Sequence, residues 1–285
     1  MPTRYSFASA PGVAAAVLLG VSDVLVKIVA AAHCDVLTML SFRGGVGLAF
    51  MTVWLKLGPK PATDTRIRWV SCGIGALFAL LIFCLFKAIE LNDVPTAVLT
   101  YFVYPLLTGL AASVTGLERL RWQGAVCAIA VFGGLAVMIG AHPAGLSLVG
   151  VGYALAAALC RVSVLLVTRA FLVGGDARLT TWYSVIVQTA IFLAISAATR
   201  TWQPPQTDFG WVALVAMSVA TTVAILFIFV STLRIGPFRT ALITNLEPFV
   251  ALLLSALLLG DTITPLQGLG SALMLGALVA FQVLK

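Results

Sequence analysis

The chain has 285 residues, 61% of them hydrophobic and 9% charged, with a net charge of +7. Soluble globular proteins lie near ~45–50% apolar and ~25% charged, so this composition excludes an ordinary water-facing surface, and it is far too apolar for disorder. What remains is a polytopic membrane protein, in which a basic excess belongs to cytoplasmic loops and gives no reason to expect a nucleic-acid partner.

A bilayer core of about 30 Å takes roughly 20 apolar residues per helix. Polar breaks divide the chain into ten such segments: 9–32, 35–56, 69–89, 95–117, 122–141, 146–170, 179–199, 209–234, 238–259 and 263–284. No strand-like alternation persists that would build a barrel. The first segment is longer than a signal-peptide core and carries Asp23 and Lys27, so it reads as a true span. The cysteines Cys34, Cys72, Cys84, Cys127 and Cys160 show no metal spacing and mostly sit in apolar runs, as small packing residues do. The ladders Ala272-Gly276-Ala280 and Gly124-Ala128 read as close helix packing within one chain.

Basic residues fall on one side of the alternating loops. Arg4, Lys56, Lys60, Arg66, Arg68, Arg119, Arg121, Arg169, Arg178, Arg234, Arg239 and Lys285 lie on the side of the amino terminus, against Lys87 and Arg200 opposite. This bias places both termini in the cytoplasm.

The halves match at an offset near 142: Leu37-Thr38 with Leu179-Thr180, Phe50 with Phe192, and Trp69 with Trp211. One residue further, Phe86 meets Phe229, Pro105 meets Pro248, and Glu118 meets Asp261; Gly124 then meets Gly268. The domains read as residues 1–142 and 143–285. Five spans is an odd number, so the second copy enters the membrane inverted. Inverted repeats with a site near the midplane are the architecture of many secondary transporters.

The run Ala88-Ile89-Glu90-Leu91-Asn92-Asp93-Val94-Pro95-Thr96-Ala97, then Tyr104-Pro105, Gly116-Leu117-Glu118-Arg119 and Gly124, resembles the EamA-type repeat of the drug/metabolite transporter superfamily. Leu246-Glu247-Pro248, Leu259-Gly260-Asp261 and Gly268 repeat it, and Gly20-Val21-Ser22-Asp23 with Lys27 and Phe42-Arg43 resemble its first two helices. The resemblance spans essentially the whole chain. It implies an all-α bacterial inner-membrane exporter of small metabolites, with two inverted five-helix repeats around a central cavity. Within the superfamily, the chain is similar to exporters of amino acids, especially aromatic ones; a multidrug or cation exporter is the alternative.

Five ionisable residues lie inside the spans: Asp23, Lys27, Arg43, Arg161 and Glu247. Each charge at a helix centre costs about 2.5–3.5 kcal/mol on insertion scales, so such groups face protein or a watery cavity. Asp23 and Lys27 are four residues apart and share a helix face, which allows a pair that either fixes the first helix or gates. Arg43 reads as structural. Arg161, mid-span, suits a substrate carboxylate bidentately, or else pairs with Glu247. Pro105 and Pro248 should each kink a helix by deleting one backbone hydrogen bond. Around them Phe78, Tyr101, Tyr104, Thr244, Asn245 and Glu247 could line an apolar, aromatic cavity with polar anchors, which suits a small amphipathic ligand. Glu247 is the better proton carrier because Asp23 has Lys27 beside it.

A phosphate-cradling loop is missing, and His33 and His142 lie at span ends with no clustered metal ligands, so neither a cofactor nor enzyme chemistry is expected. No re-entrant filter suggests a channel. The expected partners are the bilayer and a small-molecule substrate, with one chain sufficient for function.

Overall fold

The computed structural model describes residues 8–59, 64–118, 121–140 and 147–283. Arg4, Lys60, Arg119, His142 and Lys285 lie outside the described residues. The chain is all-helical there: α1 (Ala10–Ala31), α2 (Val36–Leu57), α3 (Thr65–Leu91), α4 (Val94–Tyr101), α5 (Tyr104–Val114), α6 (Trp122–Ile139), α7 (Leu148–Phe171), α8 (Ala177–Thr199), α9 (Asp208–Ile235), α10 (Pro237–Thr244), α11 (Leu246–Leu259) and α12 (Pro265–Val283). With α4–α5 and α10–α11 each taken as one interrupted span, ten helices among the described residues are long and apolar enough to cross a membrane.

Polar residues start these helices by satisfying the orphan N–H groups of the first turn. Asp35, Asp64, Asp93, Ser147, Asp176 and Thr207 each accept a backbone N–H with the side chain. The two interruptions follow from the prolines. Pro105 has no N–H for the carbonyl of Tyr101, nor Pro248 for that of Thr244, and α4 and α10 end at those two residues. The turns tighten there, with Val103 N–H donating to the Thr100 carbonyl and Asn245 N–H to that of Leu242.

Packing follows the repeat. α1 lies along α9 as α7 lies along α3; α2 packs on α9 as α8 packs on α3; α2 meets α8 and α6 meets α12 across the pseudo-twofold axis. The α1–α9 seam carries a buried hydroxyl pair, Ser22 to Thr221 at 2.7 Å. Loops of one repeat bond to loops of the other. Asp35 N–H donates to the Gln203 carbonyl, Gln206 N–H to that of Ala32, and Ser147 N–H to the Asn92 side chain.

The symmetry fails at the interrupted helices. At the end where α5 stops and α10 starts, these two helices pack on each other; their counterparts α4 and α11, at the opposite end, barely touch. α11 accordingly buries only Ser255 fully among its residues.

One expectation from small residues is corrected. Ala272 and Gly276 face outward on α12, and a Cβ at Gly276 would meet open space. The contact face of α12 is instead Gly270, Met274 and Leu278, set against α6. A Cβ at Gly134 would lie 2.6 Å from the Met274 nitrogen, so the backbones themselves are in contact. A small residue permits close approach only on the face that meets a neighbour, and ladder spacing alone does not say which face that is.

Candidate functional site

Phe78 on α3, Tyr104 on α5 and Arg161 on α7 converge in the core. The Arg161 guanidinium carbon lies 5.6 Å from the Tyr104 ring centroid and 6.0 Å from that of Phe78, a cation–π arrangement on two faces. Phe78 is held edge-on by Phe229 of α9 at 6.3 Å. The ring of Tyr101, the last residue of α4, lies tilted against that of Tyr104 with centroids 5.3 Å apart. The Tyr104 hydroxyl meets the Thr244 hydroxyl at 2.9 Å, tying the start of α5 to the end of α10.

Arg161 is 6% exposed, yet none of the ion pairs among the described residues includes it. Its Nε has no hydrogen-bond partner, and neither has the buried Oδ1 of Asn245 at the α10–α11 break. Unpaired polar atoms at such depth are expensive. Glu247 stands in the first turn of α11 and interacts electrostatically with Arg161 without closing an ion pair. Phe78, Tyr101, Tyr104, Arg161, Thr244, Asn245 and Glu247 thus gather where four spans meet, beside the helix breaks at Pro105 and Pro248.

The charges on α1 and α2 are arranged otherwise. Lys27 does not pair with Asp23. Its ammonium reaches Asp261, in the α11–α12 loop, at 3.1 Å and the Ser255 hydroxyl at 3.0 Å. Four-residue spacing puts Asp23 and Lys27 on one face, but the long lysine stem lets the head prefer a partner on another helix. Asp23 instead interacts electrostatically with Arg43 of α2 and with Glu247. Asp23, Lys27, Ser255, Asp261, Thr262 and Gln267 border an open cavity of about 410 Å³ between α1 and the α11–α12 turn. It lies at the same end as the gap between α4 and α11.

At the other end, Glu118, which matches Asp261 in the repeat, reaches across to the second repeat. Its Oε2 accepts the Phe238 N–H at 2.9 Å, and its Oε1 lies 3.6 Å from Arg239 Nε. α10 lacks a side-chain cap of its own because Gly236 precedes it, and Glu118 caps it from the other repeat. Gly236 has φ +96°, and a Cβ there would lie 2.5 Å from Glu118 Oε2. Burial pushes the Glu118 carboxyl above its ordinary range against the Phe238 N–H and the Arg239 and Arg169 guanidinium groups. Ser255, Gly236 and the trans-capping role of Glu118 carry no local sequence signal, because each depends on a contact between repeats.

The EamA-like transporter family model matches residues 8–140 and 148–281. No curated protein matches the chain at a significant level. One solved crystal structure of a protein superposes with a TM-score of 0.79 at 20% identity, covering 98% of each chain, a likeness that shows the fold. Two successive matches spanning nearly the whole chain, on ten membrane-length helices, settle its class: the chain belongs to the EamA-like transporter family and is a multi-pass membrane transporter of the drug/metabolite superfamily.

Proposed function

We propose that this protein is a secondary transporter that exports small metabolites, foremost amino acids with aromatic side chains, by alternating access. It works as a single chain in a bacterial cytoplasmic membrane with both termini in the cytoplasm, as the basic residues on that side favour. The units that rock against each other are residues 1–142 and 143–285. The observation that carries the reading is Arg161, a buried guanidinium without a carboxylate ion pair, walled by the rings of Phe78 and Tyr104. A cargo carboxylate satisfies the guanidinium while an aromatic side chain stacks among the rings. Glu247 faces the cargo ammonium and is the proton carrier if transport is proton-coupled.

Two carboxylates near the cleft, Asp23 and Glu247, favour a second reading, a cationic cargo. One counterflow experiment in proteoliposomes separates the two. Radiolabelled aromatic amino acids, their decarboxylated amines and a quaternary ammonium are offered in parallel. Saturable exchange of the amino acids, lost in Arg161→Gln, supports the first reading. Exchange of the amines and the quaternary ammonium alone replaces it with the second. Exchange of none of them, from protein that elutes as a single folded species, rejects both.

A further inference from the structure

The two interrupted spans are related by the repeat, yet only one of their two meeting points is made. α5 and α10 pack together at one end, while α4 and α11 barely touch at the other. We propose that Glu118 is the latch that holds the first end shut, and that its release from the start of α10 is the step that lets the opposite end close.

The contact is built for a carboxylate. α10 begins with Gly236-Pro237, which supplies no side-chain cap, whereas α4 caps itself when Asp93 accepts the Thr96 N–H. The start of α10 is therefore left with orphan N–H groups and a positive helix end for an acid from elsewhere to satisfy. Glu118 arrives because the chain folds back after α5, with Leu117 and Glu118 N–H both donating to the Ala112 carbonyl. The absent side chain at Gly236 gives Oε2 its seat, and positive φ there suits glycine alone. The facing cations are Arg239 on α10 and Arg169 on α7, and Arg169 Nη1 donates to the Leu233 carbonyl at the end of α9 at 2.6 Å. One carboxylate thus joins the first repeat to the second where α7, α9 and α10 converge.

Asp261, the repeat mate of Glu118, makes no such contact. It pairs with Lys27 at the rim of the open cavity, with both side chains more than half exposed. The same position in the two repeats is thus seated at the shut end and out in the cleft at the open end. A gate that exchanges between ends requires this difference, because the repeats cannot both be latched while a cavity is open to one side.

The inference rests on the alternating-access part of the proposed function and not on its cargo. Electron spin distances test it without substrate, in liposomes, on a chain whose five native cysteines are replaced by alanine. One label pair, Thr115→Cys with Arg234→Cys, reports the first end; another, Val94→Cys with Ile263→Cys, reports the opposite end. The otherwise unaltered chain should give a short, narrow first-end distance and a long opposite-end distance. Glu118→Ala should lengthen the first and shorten the second in the same sample. Gly236→Ala, which leaves the carboxylate intact and removes its seat, should do the same and decides the matter if Glu118→Ala does not fold. Unaltered distances in either folded variant overturn the proposal. So does a first end that loosens while the opposite end stays put, the behaviour of a simple helix cap. Failure of every cargo in counterflow leaves these distances readable, and unaltered distances leave the cargo assay standing.

Discussion

The hydroxyls of Tyr104 and Thr244 meet at 2.9 Å where the two interrupted spans cross, one from each repeat. Thr244 also donates within its own helix, to the carbonyls of Thr240 and Ala241 at 3.0 Å, so the bridge joins two breaks that are each locally restrained. Removing it by Tyr104→Phe should cost about 1 kcal/mol, the net value of a buried neutral hydrogen bond. Thr244→Val should cost a similar amount. The double variant should cost less than the sum, because both changes delete one interaction. Thermal unfolding in detergent reads all three; strict additivity would show that the hydroxyls do not interact.

Gly134 on α6 and Gly276 on α12 are two helical glycines with opposite surroundings. At Gly134 the α12 backbone stands where a Cβ would go, whereas Gly276 faces open space. Gly134→Val should destabilise by about 1–3 kcal/mol through overpacking. Gly276→Val should stay within about 0.5 kcal/mol, as exposed substitutions do. Melting of the two purified variants side by side checks the contrast, and equal effects would mean the α6–α12 seam is wrongly placed.

Asp35 caps α2 and ties the two repeats together. Its carboxylate accepts the N–H groups of Leu37, Thr38 and Gln203 and the Thr38 hydroxyl. Burial pushes the carboxyl up, but these hydrogen bonds outweigh it and hold the group below its ordinary 3.8. A carboxyl lowered by folding adds stability above 3.8 that disappears as pH falls through the folded value. Asp35→Ala should therefore lower the melting temperature at neutral pH, by an amount matching about 1 kcal/mol for a lost cap. It should also flatten the acid limb below about pH 4. Melting curves from pH 3 to 7 decide it: parallel acid limbs would remove the linkage.

Lys27 and Asp261 form an ion pair whose side chains are 57% and 51% exposed. Water screens such a pair, so Lys27→Gln should change stability by less than about 1 kcal/mol. Because the pair borders the open cavity, the same change should alter uptake rate more than melting temperature. Counterflow rate and melting measured on one preparation separate these, and a large loss of stability with normal flux would make the pair structural.

Much of this molecule is legible along the chain because the bilayer imposes a simple demand. Every span needs about twenty apolar residues and a complete set of internal backbone hydrogen bonds. The ten segments marked out by hydropathy accordingly coincide with the ten membrane-length helices to within a few residues. Pro105 and Pro248 are equally legible, since a missing N–H acts on the residue four positions back whatever surrounds it. The side-chain partners are another matter. Asp23 and Lys27 share a helix face, yet the lysine goes to Asp261, more than two hundred residues away. Ala272 and Gly276 have ladder spacing, yet Gly270 makes the contact.

The amino-acid sequence by itself determined the spans, their number, the breaks and the duplicated plan, all consequences of local backbone chemistry and of a solvent that rejects unpaired polar groups. Only the tertiary structure decided which charges meet, which glycines are filled against and at which end the interrupted helices pack together. Those are differences between near-equal alternatives offered by two similar halves, and symmetry in the chain leaves them degenerate until packing in three dimensions selects one.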